Sequence, residues 1–211
     1  MVKNNNKSTR YQDYVIKDGK FIGDFENMYQ NCSDPWEQSE REIFASEKAA
    51  CTNLIEAMSF KSVVEIGCGF GQFTNQLNQV ADNVIGFDIS PTAINQASMR
   101  YPHCKFEVSS FPDFERLRTL KPDCIVMAEV TWYVLDELDS FLHFLRTEMP
   151  ETYLMHMLMT YKKGEQKYGA DKFTNLYEIK KYFDMNYIES GEVERPEWVG
   201  GRRTYFLGRY A

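Results

Sequence analysis

Residues 62–71 of the chain are Ser62-Val63-Val64-Glu65-Ile66-Gly67-Cys68-Gly69-Phe70-Gly71, and they carry the strongest fold signal in the sequence. The run opens with apolar, β-branched residues, which predicts a buried strand. Three glycines then alternate with other residues, and a backbone without side chains can turn tightly beneath a bound molecule. A helix is predicted to begin near Gln72, where its free N–H groups face the same place. These residues therefore predict a strand, a loop and a helix that together cradle a nucleotide.

The glycine spacing does not match the dinucleotide fingerprint Gly-x-Gly-x-x-Gly, whose third glycine would stand at Gln72. Glu65 stands near the end of an otherwise apolar strand. A carboxylate there is costly to bury unless it accepts hydrogen bonds from a cationic ligand. An acid, one residue and then Gly-x-Gly-x-Gly resembles motif I of the class I S-adenosylmethionine methyltransferases. The resemblance implies S-adenosylmethionine as cofactor, with Glu65 near its methionine amino group and the loop beneath it: Gly67, Cys68, Gly69 and Gly71.

The same resemblance implies the fold class. It is an α/β fold, a Rossmann-like three-layer sandwich whose seven-stranded sheet is mostly parallel and has an antiparallel last strand. Residues 1–60 are then expected to be an N-terminal lead and helix, and residues 61–211 to form the cofactor-binding domain.

A second apolar strand, residues 83–88, ends in the carboxylate of Asp88, about one helix and one turn after the glycine loop. Asp88 could cap the next helix or clamp the two ribose hydroxyls of the cofactor. Ser90 is a good N-cap and Pro91 suits the first helical position, so Asp88 is left for the ligand. We therefore expect Asp88 and its neighbour Ile89 to contact the cofactor.

Composition and charge limit the remaining possibilities. The 211 residues suit one domain, and the net charge of −7 without a long basic run argues against a nucleic-acid partner. No apolar run has the length of a membrane span, and the N-terminus lacks the apolar segment of a signal peptide, which predicts a cytoplasmic protein without membrane contact. The five cysteines are scattered without metal-ligand spacing, so no metal site is predicted. The expected partner is a small-molecule acceptor, and the oligomeric state is left open.

The N-terminal lead is rich in aromatic residues. Residues 11–28 show no regular period, whereas residues 34–37 have the cap, proline and acid of a helix start, and helical spacing continues to about Met58. The lead either covers the sheet or forms a lid whose rings contact the acceptor: Tyr11, Tyr14, Tyr29 and Trp36. Its Met-Tyr and Asp-Pro-Trp elements resemble small bacterial methyltransferases of surface-polysaccharide clusters, which implies a sugar or phosphorylated intermediate as acceptor.

Further candidates stand at the carboxyl ends of the third and fourth strands, where open α/β sheets bind their ligands. After residues 105–108, the resemblance implies that Ser109 or Ser110 contacts the adenine amino group and Phe111 its ring, although a plain turn fits equally well.

After residues 122–128, the segment Glu129-Val130-Thr131-Trp132-Tyr133 is similar to that of amino-sugar and other small-molecule N- and O-methyltransferases. This implies Glu129 and Val130 near the cofactor, Trp132 and Tyr133 near the acceptor, and Glu129 and Tyr133 as catalytic candidates. Glu129 could instead be an exposed loop acid.

The last third of the chain predicts covering helices at 135–146 and 174–183 and strands at 152–159, 187–193 and 203–209. His156, within a strand, is either a hydrogen-bonded core residue or a general base. Arg195 lies in a loop that could meet an anionic acceptor.

Two other functions stay open. Methylation of a protein is one, and a non-catalytic scaffold that binds S-adenosylmethionine is the other. The intact acids and glycines of the two motifs argue against the scaffold, because a chain that no longer bound the cofactor would be free to lose them.

Overall fold

The computed structural model describes residues 10–36, 46–161, 164–194 and 201–211. Their strands are β1 (Ile16–Lys17), β2 (Lys20–Phe21), β3 (Ser62–Ile66), β4 (Asn83–Asp88), β5 (Lys105–Val108), β6 (Cys124–Ala128), β7 (Tyr153–Tyr161), β8 (Asn186–Val193) and β9 (Gly201–Arg209). Their α-helices are α1 (Phe25–Asn31), α2 (Ser46–Ala57), α3 (Gln72–Leu77), α4 (Pro91–Arg100), α5 (Phe114–Leu120), α6 (Leu135–Glu148) and α7 (Leu176–Phe183). Short 3-10 turns occupy Tyr11–Asp13 and Thr131–Tyr133.

The central sheet has seven strands in the order β5-β4-β3-β6-β7-β9-β8. The first five are parallel, and β9 runs antiparallel between β7 and β8. The predicted sheet with its antiparallel last strand is thus confirmed. The chain builds outward from β3 to β5 and then returns to place β6 on the other side of β3. This change of direction between β3 and β6 is where an open α/β sheet forms a crevice at its carboxyl edge.

Helices cover both faces of the sheet because the side chains of each strand alternate. Val63 of β3 packs in one cluster with Phe73 and Leu77 of α3 and with Ile55 of α2. Val64, next along the strand, belongs to the opposite cluster, which holds buried residues of α5, α6 and α7. The sheet is therefore the middle layer of three, and its edges and loops remain for the site.

The N-terminal lead differs from its prediction. Residues 25–31 form α1, where no regular structure was expected, and Asp34–Trp36 form a bend and turn rather than the first turn of a helix. The helical prediction for residues 37–45 lies outside the described residues, and α2 is described from Ser46. The indole Nε1 of Trp36 donates a hydrogen bond to the hydroxyl of Tyr29 at 2.8 Å, so a contact between distant side chains holds this segment.

Helix α5 was also missed. It has its own sequence signal, since Asp113 accepts a hydrogen bond from the backbone N–H of Arg116 and so caps the first turn. Among the helices that the structure describes, none combines the length and apolar character needed to cross a bilayer.

Candidate active site

A cavity of about 440 Å³ lies at the carboxyl ends of β3, β4 and β6, beneath the N-terminal lead. Its size is typical of sites for small molecules. It brings together most of the predicted cofactor residues, namely Glu65, Gly67, Cys68, Gly69, Asp88, Ile89, Ser110, Phe111, Glu129 and Val130. It also holds most of the predicted acceptor residues, namely Tyr11, Tyr29, Trp36, Trp132 and Tyr133.

The glycine loop approaches the cavity with a backbone that side chains would obstruct. Gly67 has φ +71°, and a Cβ there would lie 2.8 Å from a methyl group of Val130. Gly69 has φ +54° and lines the cavity. Gly71 is a correction to the prediction, since it is absent from the cavity lining. A Cβ at Gly71 would lie 2.5 Å from the ring of Phe106, so this glycine serves the packing of β5 against the loop.

Glu65 is the next-to-last residue of β3 and is 3 % exposed. The hydroxyl of Thr74 on α3 donates a hydrogen bond to its Oε2 at 2.5 Å. Burial raises the pKa of Glu65 to about 7, although the bond from Thr74 and the charge of Lys48 oppose the rise. A cationic group placed beside this carboxylate would restore its charge.

Lys48 is a site residue that the sequence reasoning missed. It belongs to α2, is 7 % exposed and lines the cavity, and its ammonium lies 5.3 Å from the centre of the Phe73 ring. A lysine on a helix that precedes the motif by more than a dozen residues carries no local signal. Only the packing of α2 against α3 brings its charge to Glu65.

Asp88 ends β4 at the cavity and is 6 % exposed. Its two oxygens accept hydrogen bonds from the backbone N–H groups of Gly69 and Ser90, each at 2.9 Å. Ser90 caps α4 as predicted, because its hydroxyl accepts from the N–H of Ala93 at 3.1 Å. Burial raises the pKa of Asp88 to about 6 against these bonds. Each oxygen keeps a second lone pair, so Asp88 both braces the loop and can accept from a ligand hydroxyl.

One end of the cavity is apolar and open. Ile89 is 55 % exposed beside the cavity, and Ser109, Ser110 and Phe111 line the same end. The ring of Phe111 packs against Phe141 of α6 at 4.9 Å. The hydroxyl of Ser109 donates to Asp113 at 3.0 Å. A flat ring would fit between Ile89 and Phe111.

At the other end, Glu129 has a positive φ of +60°, which turns it back over the strand end. Its Oε2 accepts a hydrogen bond from the backbone N–H of Met159 at 2.8 Å, and its Oε1 lies 3.8 Å from Nε of Arg203. Arg203 also donates to Glu47 of α2. Glu129 is therefore a positioned carboxylate whose side chain keeps 33 % of its surface exposed.

Aromatic rings wall this end. Trp36 lies 5.0 Å from Tyr11 and 5.7 Å from Tyr133, centre to centre, and Phe25 lies 5.5 Å from Tyr133. Burial raises the pKa of Tyr133 well above its usual value, so its phenol stays protonated. Tyr14 packs against the same cluster of side chains as Tyr11 and Trp36 but, unlike them, does not line the cavity.

His156 cannot act as the general base that the sequence left open. His156 is fully buried in β7 between the rings of Phe183 and Phe206, at 4.7 and 4.8 Å, and does not line the cavity. Its Nε2 lies 2.8 Å from the hydroxyl of Thr131, and burial lowers its pKa to about 3. Of the two alternatives that the sequence left open, His156 is therefore the hydrogen-bonded core residue and not the general base. Arg195 lies outside the described residues, and no metal-binding cluster occurs within the described part of the chain.

Residues 63–147 match a family model described as a methyltransferase domain. A comparison with curated proteins finds no match. The N-methyltransferase NodS from Bradyrhizobium japonicum WM9, solved with S-adenosyl-L-homocysteine, has 17 % identity and a TM-score of 0.60, over 83 % of this chain and 92 % of NodS.

Two other solved structures are similar. Magnesium protoporphyrin IX methyltransferase from Synechocystis PCC 6803, with bound S-adenosylmethionine, has 15 % identity and a TM-score of 0.54 over 77 % of this chain and 78 % of its own. An S-adenosylmethionine-dependent methyltransferase from Clostridium acetobutylicum ATCC 824 has 13 % identity and a TM-score of 0.58 over 85 % and 98 %. At these identities the likeness shows the fold. The match of residues 63–147 to the methyltransferase-domain model confirms the predicted enzyme class, with S-adenosylmethionine as its cofactor.

Proposed function

We propose that this methyltransferase moves the methyl group of S-adenosylmethionine to an oxygen or nitrogen atom of a small polar acceptor. The observation that carries the proposal is one cavity, lined by aromatic rings, in which two buried carboxylates, Glu65 and Asp88, stand at or next to the ends of neighbouring strands. Burial raises the pKa of both, so a positive charge and further hydrogen-bond donors beside them would favour their charged forms. A ligand with an ammonium group and ribose hydroxyls would supply both.

The described residues fit the cofactor along its length. Glu65 would accept from the methionine ammonium, and Lys48 would pair with the methionine carboxylate. Asp88 would accept from the ribose hydroxyls, and Ile89 and Phe111 would hold the adenine. When bound, S-adenosylmethionine supplies a methyl group on a positively charged sulfur.

The chain's own part in the reaction is alignment. The lead closes the cavity over the aromatic wall, which excludes water and keeps the acceptor in line with the methyl carbon. The rings also favour a positive charge near their faces. Because the charge of the sulfonium disappears as the bond forms, no residue has to supply large charge stabilisation to the leaving group.

A small acceptor suits this cavity better than a protein. The lead packs over it through Tyr29, which contacts Phe70 of the glycine loop at 5.1 Å, and through α1, which contacts α4. A peptide would need an open groove at this place. The sequence resemblance favours a sugar or a phosphorylated sugar of surface-polysaccharide formation as the acceptor class. A protein methyltransferase and a scaffold without turnover are the alternatives.

Calorimetric titration tests the proposal. We expect the purified protein to bind S-adenosylmethionine and S-adenosylhomocysteine in the micromolar range or tighter and not to bind NAD. Asp88→Asn should weaken this binding at least ten-fold because one acceptor oxygen becomes a donor. The matched control is Asp82→Asn, an exposed loop residue outside the cavity.

Binding of NAD, or an unchanged affinity in Asp88→Asn, would contradict the proposal. Because Asp88 also braces two backbone N–H groups, the melting temperature of the variant without ligand must be compared with that of the parent. Formation of S-adenosylhomocysteine with an acceptor then separates an enzyme from a scaffold.

A further inference from the structure

We infer that the group that receives the methyl is an amine, held at Glu129 among the phenols of Tyr11, Tyr133 and Tyr161. The inference rests on the proposed function and narrows it, since an oxygen or a nitrogen acceptor was left open there. It follows from three features of the acceptor end, which are its carboxylate, its rings and the absence of a histidine from the cavity lining.

The carboxylate of Glu129 is fixed and accessible. Its Oε2 is held by the N–H of Met159, and about a third of the side chain remains exposed to the cavity. Tyr11, Tyr133 and Tyr161 line the same cavity. The phenols of Tyr133 and Tyr161 both feel the negative charge of Glu129 and the neighbouring Tyr11, which helps to raise the pKa of each. These groups therefore converge, and the phenols remain neutral donors and acceptors.

Aromatic rings line the same cavity as Glu129, and they favour a cation there. Trp36 and Phe25 flank Tyr133 at 5.7 and 5.5 Å, and aromatic faces attract ammonium groups, more strongly where water is excluded. A carboxylate combined with several rings is a preferred environment for a protonated or methylated amine. It is a poor one for an anion.

A hydroxyl acceptor would need a stronger base than the described residues of this end provide. The sequence has three histidines, and none lines the cavity. His103 contacts Asn75, His143 is exposed on α6, and His156 is enclosed in the core. A carboxylate is a weak base toward an aliphatic hydroxyl, whereas an amine with a pKa of about 10 yields its proton to water often enough to react without a dedicated base.

An anionic acceptor is disfavoured as well. The described cation near Glu129 is Arg203, and it already contacts both Glu47 and Glu129. A carboxylate or phosphate brought to this place would face the negative charge of Glu129.

The reaction balances with the amine alone. The lone pair of the neutral amine forms the new nitrogen–carbon bond while the carbon–sulfur bond breaks, and sulfur keeps the electron pair. The positive charge thereby passes from sulfur to nitrogen, next to Glu129, which stabilises it there. The product ammonium later gives one proton to water.

Binding of simple probes tests the inference without knowledge of the natural acceptor. The full chain is saturated with S-adenosylhomocysteine, so that only the acceptor end is available, and is titrated with n-butylammonium, n-butanol and n-butyrate. We expect the ammonium to bind at least ten-fold more tightly than the alcohol or the carboxylate. Glu129→Gln, likewise saturated with S-adenosylhomocysteine, should lose this preference. Gln keeps a carbonyl that can accept from Met159, and the matched control Glu56→Gln lies on the exposed face of α2.

The outcomes separate the two proposals. Failure to bind S-adenosylhomocysteine would overturn the proposed function and this inference with it. Normal binding of S-adenosylhomocysteine with equal affinity for the three probes, or with a preference for butyrate, would overturn the inference of an amine acceptor and leave the proposed function standing. So would an ammonium affinity that Glu129→Gln leaves within two-fold of the parent.

Discussion

Glu65 links the chemistry of the site to pH. Its folded-state pKa of about 7 lies above the usual value of 4.5, and that of Asp88, about 6, lies above 3.8. At pH values between the usual and the folded-state pKa of each group, the folded protein binds more protons than the unfolded chain. The contribution of both groups to stability is therefore present at low pH. It is lost as pH rises through about 6 and 7. Without a ligand, the charged forms of Glu65 and Asp88 therefore destabilise the folded protein at neutral pH. A ligand that pairs with these carboxylates would offset this effect.

Affinity for S-adenosylmethionine should therefore fall in acid. Between pH 7.5 and 5.5 we expect a loss of roughly ten-fold or more, because Glu65 and Asp88 must lose protons to accept from the ligand. Calorimetry in two buffers of different ionisation enthalpy counts the protons released on binding. Glu65→Gln should weaken binding at pH 7.5 and flatten the pH profile, whereas Glu56→Gln should change neither. An affinity that is constant over this range would contradict the assignment.

Helix α1 acts on the site through one side chain, Glu26. It accepts hydrogen bonds from the hydroxyls of Ser90 and Thr92 at 2.5 and 2.6 Å and from the N–H of Thr92 at 3.2 Å. These bonds lower the pKa of Glu26 to about 2. They hold α1 to the first turn of α4, directly after Asp88, so the element that closes the acceptor end is tied to the loop at the cofactor end.

Glu26→Ala should loosen this element without unfolding the sheet. We expect faster hydrogen exchange of the amides of α1 and little change in β3 and β6, since the carboxylate bonds bridge elements and support no core packing. The folded pKa of Glu26 is depressed, so its contribution is present above pH 4.5 and is lost as pH falls toward 2. Gln30→Ala is the control, because it removes only an exposed bond to Glu26. Equal exchange in both variants would show that the contact does not hold the helix.

At the scale of the whole molecule, the sequence predicts what local pattern determines. Strands β3 and β4 and the positions of Glu65 and Asp88 follow from apolar runs that end in acids, and the structure places them as expected. The residues 34–37 have every local signal of a helix start, yet Asp34–Trp36 form a turn because tertiary contacts such as the bond from Trp36 to Tyr29 override the signal.

The missed features depend on distant partners. Gly71 was assigned to the ligand because the sequence does not show Phe106 beside it. Lys48 and Arg203 carry no motif, and only the fold brings them to Glu65 and Glu129. Most residues that line the two ends of the cavity were therefore predictable from sequence, whereas Lys48 and Arg203, which only the fold brings there, were not.

The ion pair of Glu47 and Arg203 links helix α2 to strand β9, which are far apart in the sequence. Glu47 of α2 and Arg203 of β9 are 156 residues apart in sequence, and their side chains are 2 % and 15 % exposed. A second arginine of β9, Arg209, pairs with Glu151 at the surface, where the side chains are 33 % and 75 % exposed. The same strand thus holds a buried and an exposed pair, which allows a matched comparison.

Arg203→Met should lower the free energy of unfolding by roughly 3–5 kcal/mol, because it leaves the buried carboxylate of Glu47 without this cation. Arg209→Met should cost less than about 1 kcal/mol, since exposed pairs contribute little. Urea titration measures both. The double variant Glu47→Gln/Arg203→Met should lose less than the sum of its single variants, because the charge left behind by one change is removed by the other. Equal losses of unfolding free energy for the two arginines, or additive losses in the double variant, would show that the buried pair of Glu47 and Arg203 does not stabilise the fold more than an exposed pair.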